Sequence, residues 1–388
     1  MILLDKPFAS DFLLRTIREH HYPVIASKEA RALVGENSLS WVDEQEASRI
    51  LRNKPETTLY SNSENALAWV ADHLDGSAFA EHAKLFKDKV SFRELIQDVF
   101  PDFKFRAVTL AEIHNLDPKE LSFPFVIKPS VGFFSIGVHV VKNMNDWEAA
   151  RQDLDYAKLE SAYPLNVLNT STFIIEDYIE GEEFAVDCYY NQEGEVVVLN
   201  ILHHRFSSGE DTSDRVYTTS KDIVQSYLEP FRSFLQTIGR KAGIRNFPAH
   251  VELRLDSSGR INPIEVNPLR FGGWCTTADL LGIATGYSPY DFYFGNKVPD
   301  WDLVFKDKEN KTFSIIVLNN NSGYAPGEIE SFDYDLLAKD FENPLVIRKM
   351  NVAKYAVFGF VFAEISQENE QELNEILVSD LRKYITKK

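Results

Sequence analysis

Along the 388 residues of this chain, apolar positions recur with a period of two in some stretches and near 3.6 in others. The run AHVELRLDSSGRINPIEVNPLR, residues 249–270, alternates polar and apolar side chains on both sides of a polar break at 257–260. It predicts a two-stranded hairpin turning about Ser258-Gly259. Pairing about that turn sets Glu252 opposite Glu265 and His250 opposite Asn267 on one face, with Val251, Leu253, Leu255, Ile264 and Val266 on the other. Like charges directly opposite on a sheet are destabilising. Two facing glutamates beside an amide oxygen therefore suit a hard cation bound by oxygens, with Mg²⁺ expected and Mn²⁺ as its alternative. A water-facing sheet surface accounts for the same residues equally well, because charged side chains there need no ligand.

The remaining pattern predicts strands at 2–4 and 23–26 and helices at 11–20 and 64–74, so that about the first eighty residues form a small α/β unit. A helix over 86–100 follows, then strands at 105–109 and 123–129, the latter running into the loop SVGFFSIG and another strand. Residues 146–158 read as a helix and 173–179 as a strand. GEEFAVDCYYN and EVVVLNILHHRF read as a meander ending at Phe206. The polar stretch 207–220 is expected to be a loop, and 222–242 a long helix leading into the hairpin. Beyond residue 299, strands at 313–318, 345–348 and 356–365 and a helix at 368–385 suggest a small terminal α+β subdomain.

Composition narrows the function. A chain with 44% hydrophobic and 26% charged residues is an ordinary globular sequence with room for two or three domains. A net charge of −18 disfavours nucleic acid as a partner, since phosphate backbones are bound by clustered Lys and Arg. Only two cysteines are present, Cys188 and Cys275, without zinc-ligand spacing, so a reducing cytosol is expected. No basic leader opens the chain and no segment approaches 20 apolar residues, so neither secretion nor a membrane partner is expected.

From residue 85 to 287, five stretches in order resemble the ATP-grasp superfamily, and in particular its carboxylate-amine ligases. In KDKVSFREL, Lys89 matches a lysine that reaches a nucleotide phosphate. In FPFVIKPSVGFFSIGV, Lys128 ends an apolar strand where an unpaired cation is costly, so a phosphate partner explains it better than packing does. The small residues that follow, Ser135 among them, can bring backbone N–H groups to phosphate oxygens, although Phe133 and Phe134 depart from glycine-richer loops. FIIEDYIEGEEF looks like the hinge that holds adenine. The resemblance implies contacts from Glu176, Asp177, Tyr178 and Ile179, with Glu183 as the ribose-binding acid. Glu252, Glu265 and Asn267 match the family's metal ligands, His250 resembles the His-x-Glu of its amino-acid ligases, and Arg270 in NPLRFGG fits a catalytic arginine with one extra residue before it.

What the resemblance implies is an ATP-grasp fold of the α/β (α+β) class. An N-terminal α/β domain would span 1–82, the ATP-grasp domain 83–300 with lobes about 83–175 and 176–300, and the terminal subdomain 301–388. It further implies ATP and Mg²⁺ as cofactors, a small carboxylic acid and an amine as substrates, an acyl phosphate between them, and a homodimer. Carboxylation or phosphoryl transfer on the same scaffold, or a regulatory module that binds ATP without turnover, are the alternatives. Arg205 and Arg215, flanking the polar loop, are candidates to close over phosphates. Trp274, Thr276, Thr277 and Asp279 are candidate substrate contacts, or simply helix-start residues.

Overall fold

A computed structural model describes residues 1–35, 39–132, 137–154, 172–208, 213–355, 357–366 and 369–388. Three sheets dominate it. The first eighty residues carry four short parallel strands, β1 (Ile2–Leu3), β2 (Pro23–Ile25), β3 (Ser40–Val42) and β4 (Tyr60–Ser61), in the order β3-β2-β1-β4. Parallel pairing requires crossovers, which the helices Asp11–His20 and Glu44–Asn53 help to supply. Ser10 starts the first by accepting a hydrogen bond from the Leu13 amide.

A four-stranded antiparallel sheet follows, in the order β5-β8-β6-β7, formed by β5 (Phe105–Thr109), β6 (Phe125–Pro129), β7 (His139–Val141) and β8 (Thr172–Asp177). Its inward face, with Phe125, Ile127, Phe173 and Ile175, packs against Trp147 of the helix Met144–Asp153. The chain then crosses into an eight-stranded antiparallel sheet ordered β13-β12-β9-β10-β11-β14-β17-β16. Its members are β9 (Glu182–Tyr190), β10 (Val196–Arg205), β11 (Val216–Ser220), β12 (Phe247–Leu255), β13 (Ile261–Pro268), β14 (Lys311–Asn319), β16 (Asn343–Lys349) and β17 (Val357–Ser366). β15 (Ile329–Phe332) pairs instead with β18 (Ile385–Lys387). The strands after residue 300 thus extend the central sheet through β11, which hydrogen-bonds to both β10 and β14.

Four expectations change. The helix expected over 86–100 is two helices, Ala78–Lys87 and Lys89–Ile96, because the Asp88 side chain accepts from the Val90 and Ser91 amides and starts a new helix. The end of the expected 207–220 loop is β11, whose Val216 is buried. The C-terminal helix is shorter, Gln371–Val378, and gives way to a 3₁₀ turn and β18. In the hairpin, Glu252 pairs with Glu265 and His250 with Asn267 as expected, but the register shifts between Glu252 and Leu253. Leu253 then faces Pro263, which leaves Ile264 as the extra residue of a bulge. Ile264 consequently lines an open cleft rather than the core face.

The helix Lys221–Ala242 packs closest at Gly239, where a Cβ would lie 2.1 Å from a ring carbon of the buried Tyr190. Alanine normally strengthens a helix relative to glycine by about 0.5–1 kcal/mol. Here overpacking should prevail: Gly239→Ala is expected to lower stability by about 1–3 kcal/mol in urea unfolding, whereas a gain would show that this contact yields.

Candidate active site

Between the two antiparallel sheets lies a cleft enclosing about 1010 Å³ of empty space open to solvent. Val126, Lys128 and Pro129 of β6 form one wall, and Glu252, Arg254, Ile264 and Glu265 of the β12–β13 hairpin the other. Tyr178 and Ile179 line it where the chain passes from one sheet to the other, between β8 and β9. Gly181 has φ +124 there, and a Cβ would lie 2.2 Å from the Leu255 carbonyl oxygen, so only glycine lets the hinge cross the hairpin this closely. Lys89, Lys128, Glu176, Asp177, Tyr178, Ile179, Glu183, Glu252 and Glu265 all line this cleft.

Charge inside it is paired across elements. Lys89 Nζ is 2.8 Å from Glu265 Oε2, and Lys128 Nζ is 2.6 Å from Glu176 Oε1. Glu176 also accepts from Arg93 Nε at 2.7 Å, and Arg93 donates to the Pro263 carbonyl at 2.7 Å. Burial opposes ionisation of Glu176, yet Arg93 and Lys128 hold its carboxyl down at about 2. Burial lowers the Lys128 ammonium, an effect Glu176 offsets in part. Glu183 accepts from Arg254 Nε at 3.0 Å and lies 2.8 Å from His204 Nδ1, while Arg254 also donates to the Ile179 carbonyl at 2.5 Å.

The facing glutamates differ. Burial, with Glu265 beside it, pushes the Glu252 carboxyl well above its ordinary range. Against the same cost of burial, the Lys89 ammonium holds Glu265 far below it. The asymmetry follows from Lys89, which touches Glu265 alone. The Asn267 amide spans the pair, 3.4 Å from Glu252 Oε1 and 3.2 Å from Glu265 Oε1. Among the described residues no group of three or more His, Cys, Asp or Glu side chains is arranged to hold a metal. The hairpin set is two carboxylates and one amide. That set fits a hard cation which fills its remaining positions with phosphate or water oxygens.

His250 Nε2 lies 3.8 Å from Glu252 Oε1, and its Nδ1 is 2.7 Å from Asp187 Oδ1, which also accepts from the Gly272 amide. Arg270 is buried beside the same acids, paired with Glu64 at 2.6 Å. Ser135 lies outside the described residues. Arg205 and Arg215 are held elsewhere: Arg205 pairs with Glu370, and Arg215 donates to the Ile376 and Ser379 carbonyls. Asp279 is buried with Ser10 and Arg348 and has its carboxyl pushed up to about 6, chiefly by burial.

Residues 121–278 match the family model of the ATP-grasp domain. That stretch, less than half of the chain, is similar to ATP-grasp domains. The chain's sequence is 25% identical over 183 residues to an alanine–anticapsin ligase of Bacillus amyloliquefaciens, a stretch covering 44% of this chain and 38% of that relative. In fold it resembles an L-amino acid ligase from Bacillus licheniformis, with a TM-score of 0.67, 18% identity and coverage of 100% of this chain and 98% of that one. The N5-carboxyaminoimidazole ribonucleotide synthetase of Thermotoga maritima has the same coverage, a TM-score of 0.63 and 14% identity.

Sequence reading overlooked Glu64, Lys87, Arg93, Asp187, His204 and Arg254, of which Arg93 carried a signal. It stands four residues after Lys89 and so shares that lysine's helix face. Arg93→Met should destabilise the protein by about 1.5–3 kcal/mol at neutral pH, because it removes one of the two cations that hold the buried Glu176 carboxylate. A depressed carboxyl adds stability above its ordinary pKa and loses it as pH falls toward the folded value of about 2. The gap between variant and wild type in urea unfolding should therefore narrow from neutral pH to about pH 3.

Proposed function

We propose that this chain is an ATP-dependent carboxylate-amine ligase that joins a small carboxylic acid, an amino acid above all, to an amine and releases ADP and phosphate. The observation carrying the reading is the pair Glu252 and Glu265 facing each other beside Asn267, with Lys89 and the buried Arg270 against them. The ligase names of the matched relatives support it. A divalent cation, Mg²⁺ in this reading, would be held by Glu252, Glu265 and Asn267 and would neutralise phosphate charge there.

The γ-phosphoryl group passes to a carboxylate oxygen as its bond to ADP breaks. The amine nitrogen then attacks the acyl carbon, the carbon–oxygen bond to phosphate breaks, and the nitrogen loses a proton. Negative charge spreads over the phosphoryl oxygens and the leaving oxygen during the first step. In this reading Lys89, Lys128 and Arg270 counter it, and preorganised charge of that kind is where catalytic electrostatics gains most. To serve a phosphate, Lys89 and Lys128 must exchange the carboxylates that hold them, so nucleotide binding includes replacement of one anion by another. The two sheets closing over the cleft would keep water from the acyl phosphate. Two buried, unpaired thiols, Cys188 and Cys275, agree with a reducing cytosol.

Incubation with ATP, Mg²⁺ and a panel of amino-acid pairs should release equal amounts of ADP and phosphate with some pair. Formation of AMP and pyrophosphate, or turnover that requires bicarbonate in place of an amine, overturns the reading. Glu265→Gln should reduce turnover by about 10²-fold or more while the protein stays folded, measured as phosphate release beside a thermal melt.

A further inference from the structure

Arg270 is buried, yet one edge of its guanidinium has no partner. Nη1 donates to the Phe271 carbonyl at 2.9 Å and Nη2 to Glu64 Oε1 at 2.6 Å, while Nε finds no acceptor among the described residues. A buried donor left unmade is costly, and this one belongs to a guanidinium near enough to the cleft-lining Glu252 and Glu265 to feel their charge, a place that suits an anion arriving with the substrate. The five N–H groups of an arginine are fixed in one plane, so holding two nitrogens determines where the third points.

Glu64 does that holding from outside the matched stretch 121–278. It opens the 3₁₀ turn Glu64–Ala66, and its neighbours Ser63 and Asn65 both donate to the Lys6 carbonyl, at 2.5 and 2.9 Å. Its second oxygen accepts from Lys87 Nζ at 2.8 Å, and the same ammonium donates to the Gly132 carbonyl at 2.8 Å. Gly132 stands four residues after Lys128, in the loop that follows β6, and it lines the cleft. One carboxylate therefore ties the N-terminal unit to the arginine and, through Lys87, to the loop. Burial disfavours its charge, but Lys87 and Arg270 together keep it ionised.

We propose that Glu64 is a positioning residue for phosphoryl transfer, fixing the guanidinium plane of Arg270 so that the Nε edge meets the carboxylate–phosphoryl group. The inference rests on the ligase reading above. It extends the working site into the first eighty residues, which then set geometry at the reacting atoms.

The test uses the full chain with ATP, Mg²⁺ and the most active acid–amine pair, comparing wild type, Glu64→Gln, Arg270→Met and the double variant. Glu64→Gln keeps the shape and removes the charge. It should lower kcat about 10–100-fold, as small misplacements of catalytic groups do, with KM for ATP within about twofold of wild type. The double variant should be no slower than Arg270→Met alone, because a residue acting through Arg270 has nothing left to position. Glu64→Asp, which retains the charge and draws it back by one methylene, should fold like wild type and show a smaller loss confined to kcat. Equal kcat in wild type and both Glu64 variants overturns the inference and leaves the ligase reading standing. Additive losses in the double variant also overturn it, since Glu64 would then act independently of Arg270. A wild-type protein that releases no phosphate with any pair overturns both.

Discussion

Two carboxylates on neighbouring strands, at the same register position, cannot both remain ionised without positive charge between or beside them. That constraint organises this protein. The β12–β13 hairpin sets Glu252 against Glu265, and Lys89 satisfies only one of them. Glu252 is left with its carboxyl pushed upward by burial and by its neighbour. A site built this way is electrostatically unfinished. It is relieved by a proton on Glu252 or by a cation shared between the two, and the second option is the one the proposed function uses.

The rest of the cleft repeats the logic with the sign reversed. Lys128, Arg93, Arg254, Arg270 and Lys87 each rest against a carboxylate from a different element. Such pairs bring small net stability, because desolvation consumes much of the Coulombic gain. Their effect is on position. Arg93 reaches Glu176 in the small sheet and the Pro263 carbonyl in the large one, and so staples the two walls together. Arg254 grips the hinge at the Ile179 carbonyl and at Glu183. The cationic groups are thereby held in position by the fold's own carboxylates, which is the kind of preorganisation that electrostatic stabilisation requires.

How much of this was legible follows from the range over which each signal acts. Register at the hairpin was readable from Ala249 to Glu252 because side-chain alternation is local and strict, and it is off by one from Leu253 to the turn, because the bulge at Ile264 inserts a residue that no pattern of polar and apolar positions encodes. The break before Lys89 was hidden in an apolar run, although Asp88 carried the capping chemistry that causes it. β11 was concealed by its polar composition: Thr218, Thr219 and Ser220 are buried by sheet pairing rather than by their own hydrophobicity. Glu64 and Arg270 are 206 residues apart, and nothing in either local sequence reports that contact. Charge partners across domains are the part that only folding reveals.

The terminal strands bear on the cleft by the same reasoning. β14 pairs with β11 along five residues, and β11 pairs with the end of β10 that carries His204, which in turn bonds Glu183. Segments beyond residue 300 therefore close the far side of a sheet whose near edge is the β12–β13 hairpin. Without β14, β11 would be an edge strand with an unpaired row of backbone donors and acceptors, and edges of that kind twist, fray or recruit other chains. His204, on β10, would then lie one strand away from a free edge. Catalytic groups need placement within a fraction of an ångström. A region with no described residue lining the cleft can thus bear on it by fixing the strand next to the one that carries His204.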